Sequence, residues 1–178
     1  MEHGEGLREL NTFMNTAFPM LLHAPASKWN SLDIDYEPPR VERLWVQLAG
    51  YRASLHVLHP GQRVPPLGPF PTLYHPHQGP SAIRLLRVDG AYEMAVGAGT
   101  HMPNLAMIRM SAGSEYEMLE PHGWHYVRII GEPVLSVMLT WPPFDPQVYT
   151  HTSFGKGRCF EFLSEERKEQ ILTEFRHA

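Results

Sequence analysis

The chain of 178 residues holds one cysteine, Cys159, so it cannot form an internal disulfide. No stretch approaches 18 consecutive apolar residues, which excludes a membrane-spanning helix from the expected elements. There is no basic surplus either. Fifteen lysines and arginines against 19 aspartates and glutamates give a formal net charge of -4. The electrostatic footprint of a nucleic-acid-binding protein is therefore missing. The opening residues, MEHGEGLREL, lack the basic segment and apolar run of a secretory signal. With the lone cysteine, this gives the expectation of a cytoplasmic protein. Hydrophobic residues at 43% and charged residues at 19% form an ordinary globular balance, which argues against global disorder.

Two residue types are abundant. Seventeen prolines are about twice the average usage, and they argue for short elements and many turns over a helical bundle. Eleven histidines are a first hint of metal chemistry. The length suits one domain, 1–178, large enough to bury well over half of its unfolded surface.

Apolar residues at Leu7, Leu10, Phe13, Met14, Ala17 and Phe18 recur at intervals of three and four. They predict one amphipathic helix that ends at Pro19 or soon after. Residues 1–40 otherwise read as irregular, with a short strand in SLDIDYE. From about 41 to 150 the texture changes to short apolar or alternating runs: RLWVQL, RASLHVL, AIRLLRV, YEMAVG, LAMIRM, YVRII and PVLSVMLTW. Glycine, proline or asparagine separates most of them, the pattern of a β-sandwich or barrel. Residues 164–178 predict a C-terminal helix. Ser164 suits the N-cap, Glu165 and Glu166 the first turn, and Ile171, Leu172 and Phe175 the apolar face. The phrases GAYEMAVG and GSEYEMLEP echo each other, as if a strand-glycine-strand unit were used twice.

Two segments carry chemistry. In Tyr74-His75-Pro76-His77 the histidines are two apart, so in extended backbone they share a face, and Pro76 biases His75 toward that geometry. In Pro121-His122-Gly123-Trp124-His125 a turn feeds a strand in which His125, Val127 and Ile129 share an inward face. Alone, the first segment reads more simply as a surface loop with two exposed histidines, and His125 as a core histidine. Together, three imidazoles can converge on one ion and leave positions open for water, substrate or dioxygen. Neutral imidazoles suit iron(II), nickel, copper or zinc. His122 can take the place of His125, since both flank Gly123.

The arrangement resembles the cupin superfamily, small barrels of the double-stranded β-helix type. His75, His77 and Gly90 match its first motif, although Pro80-Ser81-Ala82-Ile83 stands where that motif has a glutamate. Pro121, Gly123 and His125 match the second motif. The likeness covers roughly residues 43–145. A narrower resemblance links WHYVRIIGEPVLSVMLTWPPFDP to cysteine dioxygenases and related thiol dioxygenases, which also lack the glutamate and bind iron through three histidines. It implies His75, His77 and His125 as ligands. The family's outer Ser-His-Tyr set falls on Ser136, Met138 and Thr140, and only the serine is kept. A methionine cannot relay a proton, so cysteine as substrate does not follow.

Arg84 shares a face with Ala82 and Leu86. If that face lines the barrel, its guanidinium can anchor a substrate carboxylate; otherwise it is a surface arginine. Glu93 and Glu117 read as solvent-facing alternation, with a ligand or base role as the alternative. His56 and His59 face opposite sides of a strand. Met94, Met107, Met110, Met118 and Met138 read as core filler. Cys159 has no histidine near it in sequence, and no nucleophile elbow or nucleotide loop is present.

The reading is an all-β cupin-type barrel with short helices at both termini, binding one divalent metal ion per chain through His75, His77 and His125. Iron(II) is favoured, with zinc or nickel as alternatives. Arg84 and Ser136 are the candidate catalytic residues. The expected reaction is oxidation of a small organic molecule bearing a thiol or carboxylate. The alternatives are a non-redox isomerase or lyase, or a small-molecule-binding module without turnover. A homodimer is expected, with the proline-rich start covering a neighbour's strand edge.

Overall fold

The computed structural model describes residues 1–34, 39–60, 75–76, 79–97, 106–120, 123–143 and 161–178, with 75–76 described by their backbone pairing. The N-terminal amphipathic segment forms two helices, α1 (Glu5–Asn15) and α2 (Ala17–Leu22), where the sequence predicts one. Pro19 explains the break. It cannot donate to the carbonyl of Asn15 and would clash with it, whereas the first turn of a new helix leaves that donor unused. The predicted apolar stripe is buried through Leu10, Phe13 and Phe18. A single 3-10 turn (Ala26–Lys28) leads into the first strand.

Ten strands follow among the described residues: β1 (Asn30–Ile34), β2 (Val41–Gln47), β3 (Arg52–Leu58), β4 (His75–Pro76), β5 (Ser81–Arg87), β6 (Ala91–Gly97), β7 (Ala106–Met110), β8 (Glu115–Met118), β9 (Trp124–Ile130) and β10 (Val134–Thr140). Helix α3 (Glu165–Arg176) closes the chain. Ser164 caps it, its hydroxyl accepting the Arg167 amide at 3.1 Å, as its sequence predicts. One sheet has the order β1-β2-β3-β10-β5-β8 and the other β4-β9-β6-β7. All pairings are antiparallel. The sets β3-β10-β5-β8 and β4-β9-β6-β7 give the strand order of a jelly roll, the double-stranded β-helix on which cupin barrels are built. Strands β1 and β2 extend one sheet.

The large sheet is covered on both faces. Leu44, Val46, Ala53, Leu55, Val57, Leu135, Val137 and Leu139 pack under the helices with Leu10, Phe13, Ile171, Leu172 and Phe175. Leu58, Ile83, Leu85, Val134 and Met138 point the other way, onto Tyr92, Met94, Val127 and Ile129 of the small sheet. This double burial is why β10 reads as an almost unbroken apolar run. The turn from β5 to β6 needs Gly90. A methyl group there would lie 1.9 Å from the carbonyl oxygen of Ile130.

Candidate functional site

The site is built where the small sheet begins. His125, second residue of β9, lies on the barrel side with Val127 and Ile129 and is 3% exposed. Strand β4 pairs with β9 so that His75 stands opposite His125 and Pro76 opposite Trp124. Directly opposed positions in an antiparallel pair have Cα atoms about 4.5–5.5 Å apart. Two of the three histidines singled out in the sequence are thus neighbours across a pair of strands. His77 and His122 lie outside the described residues, as does Pro121. Among the described residues, no group of three or more His, Cys, Asp or Glu stands ready to hold a metal ion.

The surroundings of His125 define its chemistry. Its Nδ1 lies 3.3 Å from Sδ of Met94. A thioether has no proton to give, so this contact is a hydrogen bond in the tautomer that carries its proton on Nδ1. The ring of Tyr116 stands edge-on to the imidazole, with centroids 6.4 Å apart. The Tyr116 hydroxyl lies 2.7 Å from that of Tyr92. These tyrosines open the two echoing YEM phrases, a signal in the sequence that pointed to a repeat and not to a contact. Burial pushes the Tyr92 phenol well above its ordinary range, and Tyr116 beside it adds to the rise. Burial also pushes Tyr116 up to about 12, against the opposing effect of its hydrogen bond with Tyr92. Both phenols stay protonated at neutral pH.

The facing sheet contributes a polar row. Register places Arg43 opposite His56, and His56 opposite Ser136. Arg43 and His56 alternate with Leu44, Leu55 and Val57, which pack under the helices, so the row faces the barrel. Arg43 Nε donates to His56 Nε2 at 3.0 Å. Ser136 is 2% exposed, next to Met138 on the same side. Ser54, in the same strand face as His56, is fully buried, and its hydroxyl has no hydrogen-bond partner among the described residues.

Arg84 is placed elsewhere. It shares a face with Ala82, but that face is the one covered by the N-terminal helix. Its guanidinium is engaged by Glu115 of β8 and by the side chain of Asn11 in α1. An anion anchor inside the barrel is therefore not its position; Arg43 is a barrel-facing arginine beside the serine row, one which sequence reasoning passed over. Glu93 pairs with Arg128 across β6 and β9, and Glu117 accepts the amide of Gly4. His59 lies on the helix side, 2.8 Å from Glu42, opposite in facing to His56 as its spacing predicts.

No family model matches the chain, and no curated protein matches it in sequence. Solved structures do resemble it. A cupin domain from Bordetella pertussis Tohama I is 10% identical with a TM-score of 0.41, covering 60% of this chain and 96% of its own. KdgF from a Halomonas species is 16% identical with a TM-score of 0.41, covering 64% and 87%. Hydroxypropylphosphonic acid epoxidase from S. wedmorenis is 13% identical with a TM-score of 0.46, covering 67% of this chain and 58% of its own. Fold alone does not carry activity, so the chemistry has to be read from the site.

That site fits an imidazole-held divalent ion in its donor chemistry. His125 is buried, its Nδ1 lies against Met94 Sδ, and its register partner is a second histidine.

Proposed function

We propose that the chain is a cupin-type metalloenzyme that holds one divalent metal ion through His75, His77 and His125 and acts on a small organic substrate. The carrying observation is the register pairing of His75 with a buried His125 whose Nδ1 lies against the Met94 thioether. Iron(II)-dependent oxidation is the reaction class we assign, on a substrate bearing a carboxylate or thiol. His75, His77 and His125 would hold the ion, and iron there would supply redox chemistry between the substrate and dioxygen.

The chain's own residues do the rest. Arg43, held by His56, anchors a substrate carboxylate in the role that sequence assigned to Arg84. Ser136, next in the row, offers a hydroxyl beside it. Tyr92 and Tyr116 serve as hydrogen-bonding groups and not as bases at neutral pH. Met138 cannot pass a proton, which separates this site from a Ser-His-Tyr relay. We assign the protein to the cytoplasm and to a homodimer, with neither nucleic acid nor membrane as partner. Among the described residues, no helix is long and apolar enough to cross a membrane.

The deciding experiment is elemental analysis of protein purified without chelator, on the natural chain and on His125→Ala, followed by oxygen consumption with small thiols and carboxylates. We expect close to one metal per chain, lost in the variant while the circular dichroism of the barrel persists. Full metal content in the variant overturns the ligand set. Turnover that continues without oxygen replaces oxidation with isomerase or lyase chemistry. A metal-free protein that retains a small ligand makes it a binding module.

A further inference from the structure

We infer that Arg52, Ser54 and Thr140 form a second oxyanion subsite inside the barrel, so that the substrate carries two acidic groups. The subsite stands on the geometry of β3 and β10. Its service to a substrate rests on the reading just given, in which Arg43 holds the first acidic group.

Six buried side-chain polar atoms have no hydrogen-bond partner among the described residues, and three of them, Arg52 Nε, Ser54 Oγ and Thr140 Oγ1, share one patch. The others are scattered over Trp29, Arg87 and Glu117. Register places Arg52 opposite Thr140 and Ser54 opposite Met138, so Thr140 is the diagonal neighbour of Ser54. Ala53, Leu55, Val137 and Leu139 pack under the helices, so the positions that alternate with them face the barrel, as Met138 does.

The side chains around Arg52 are committed elsewhere. Gln47, its register partner on β2, gives its amide to the carbonyls of Leu48 and Tyr51 at 3.1 and 3.0 Å. Ser81, opposite Thr140 on β5, gives its hydroxyl proton to the carbonyl of Gly79 at 3.2 Å. Other arginines of this sheet have partners: Arg84 pairs with Glu115, Arg87 with Asp89 and Glu174, and Arg43 donates to His56. Arg52 has no ion pair among the described residues. A buried donor left unsatisfied costs its full desolvation penalty, and more so on a cation. A guanidinium with two hydroxyls supplies a charged fork and further donors, the complement of a carboxylate or phosphoryl oxyanion.

The patch lies at the histidine end of the barrel. Thr140 and Met118 both stand opposite Ser81, where β5 begins and β8 ends. Short connections run from Pro76 to Ser81 and from Met118 to Trp124, and Pro76 stands opposite Trp124 beside the His75–His125 pair. Along β3, Arg52 is four residues from His56, which holds Arg43. That is about 13 Å in extended backbone. The two arginines are thus separate anion positions, suited to a substrate with an acidic group at each end.

The test is calorimetry on the full chain as purified, with glutarate and phosphonoacetate as dianions and butyrate as the monoanion. We expect a dianion to bind at least about tenfold tighter than butyrate. Arg52→Gln should remove that advantage and leave butyrate binding as it was, and Arg52→Lys should recover part of it. The better dianion tells whether the group at Arg52 is a carboxylate or a phosphoryl oxyanion. Ser54→Ala should weaken the dianion several-fold and leave the unliganded chain as stable in urea, since it removes an unsatisfied hydroxyl; it serves as the test if Arg52→Gln fails to fold. No preference for dianions overturns the subsite. So does a preference that Arg52→Gln leaves intact, or a Ser54→Ala chain that loses stability with no change in affinity. Arg52-dependent binding that persists in His125→Ala and in metal-stripped protein keeps the subsite even where the metal reading fails. A metal-loaded chain whose ligands are blind to Arg52 sinks the subsite and leaves that reading standing.

Discussion

His75 and His125 are register partners, joined by a strand of only two residues. The pairing brings together two segments that lie far apart along the chain. It also makes a covalent prediction. Cysteines at opposed antiparallel positions have the Cα separation that a disulfide needs. In a chain whose native Cys159 is replaced by serine, the pair His75→Cys and His125→Cys should cross-link on mild oxidation. Thiol titration before and after checks it. Thiols that stay free would place β4 in another register and dissolve the proposed centre.

The tyrosine pair predicts a response to alkali. Both phenols titrate higher in the folded chain than the ordinary value of 10.0, Tyr116 up to about 12. Between those pH values the unfolded state loses protons that the folded state keeps. Stability is thus fully present below pH 10 and falls as pH rises toward 12. Ultraviolet titration should show two tyrosines that ionise only as the protein unfolds. Tyr116→Phe strands the Tyr92 hydroxyl in the core and should cost about 1–3 kcal/mol, measured by urea unfolding. Replacing both by Phe should recover part of that loss.

Glu42 predicts a response to acid. Burial alone would push its carboxyl up, but hydrogen bonds from Arg167 and His59, with the attraction of both, bring it down to about 2. Arg167 grips it through Nε at 2.8 Å and through a terminal nitrogen at 2.6 Å, tying α3 to β2. A lowered carboxylate contributes stability that is present above its unfolded value of 4.5 and lost as pH falls through about 2. Glu42→Gln should cost roughly 2 kcal/mol at neutral pH and flatten the acid limb of the stability curve. An unchanged limb would assign acid unfolding to other groups.

Gly90 predicts a loss without chemistry. Its Cα packs against the β9 end so tightly that Gly90→Ala must push the Ile130 backbone away. We expect a cost of about 3 kcal/mol by thermal or urea unfolding. A variant as stable as the natural chain would mean that the turn has room to open.

Much of this was legible in the residues. Short apolar or alternating runs marked β2, β3, β5, β6, β9 and β10, and the turn residues separated them. Ser164 announced α3 because a capping hydroxyl is a local interaction with the next turn. The single helix expected at the start became two because Pro19 competes with the apolar stripe, and the backbone constraint won.

The sequence alone determined which residues share a face, since the two-residue period of a strand is a property of its backbone. It did not determine what that face would meet. Ala82, Arg84 and Leu86 do lie on one side of β5, but the helices cover that side, so Arg84 meets Glu115 and Asn11. Arg43 with His56, Tyr92 with Tyr116, and Met94 with His125 are contacts between strands brought together by register and by the closure of one sheet over the other. Such pairs depend on the sum of all pairings in the barrel, and no short stretch of residues contains that sum.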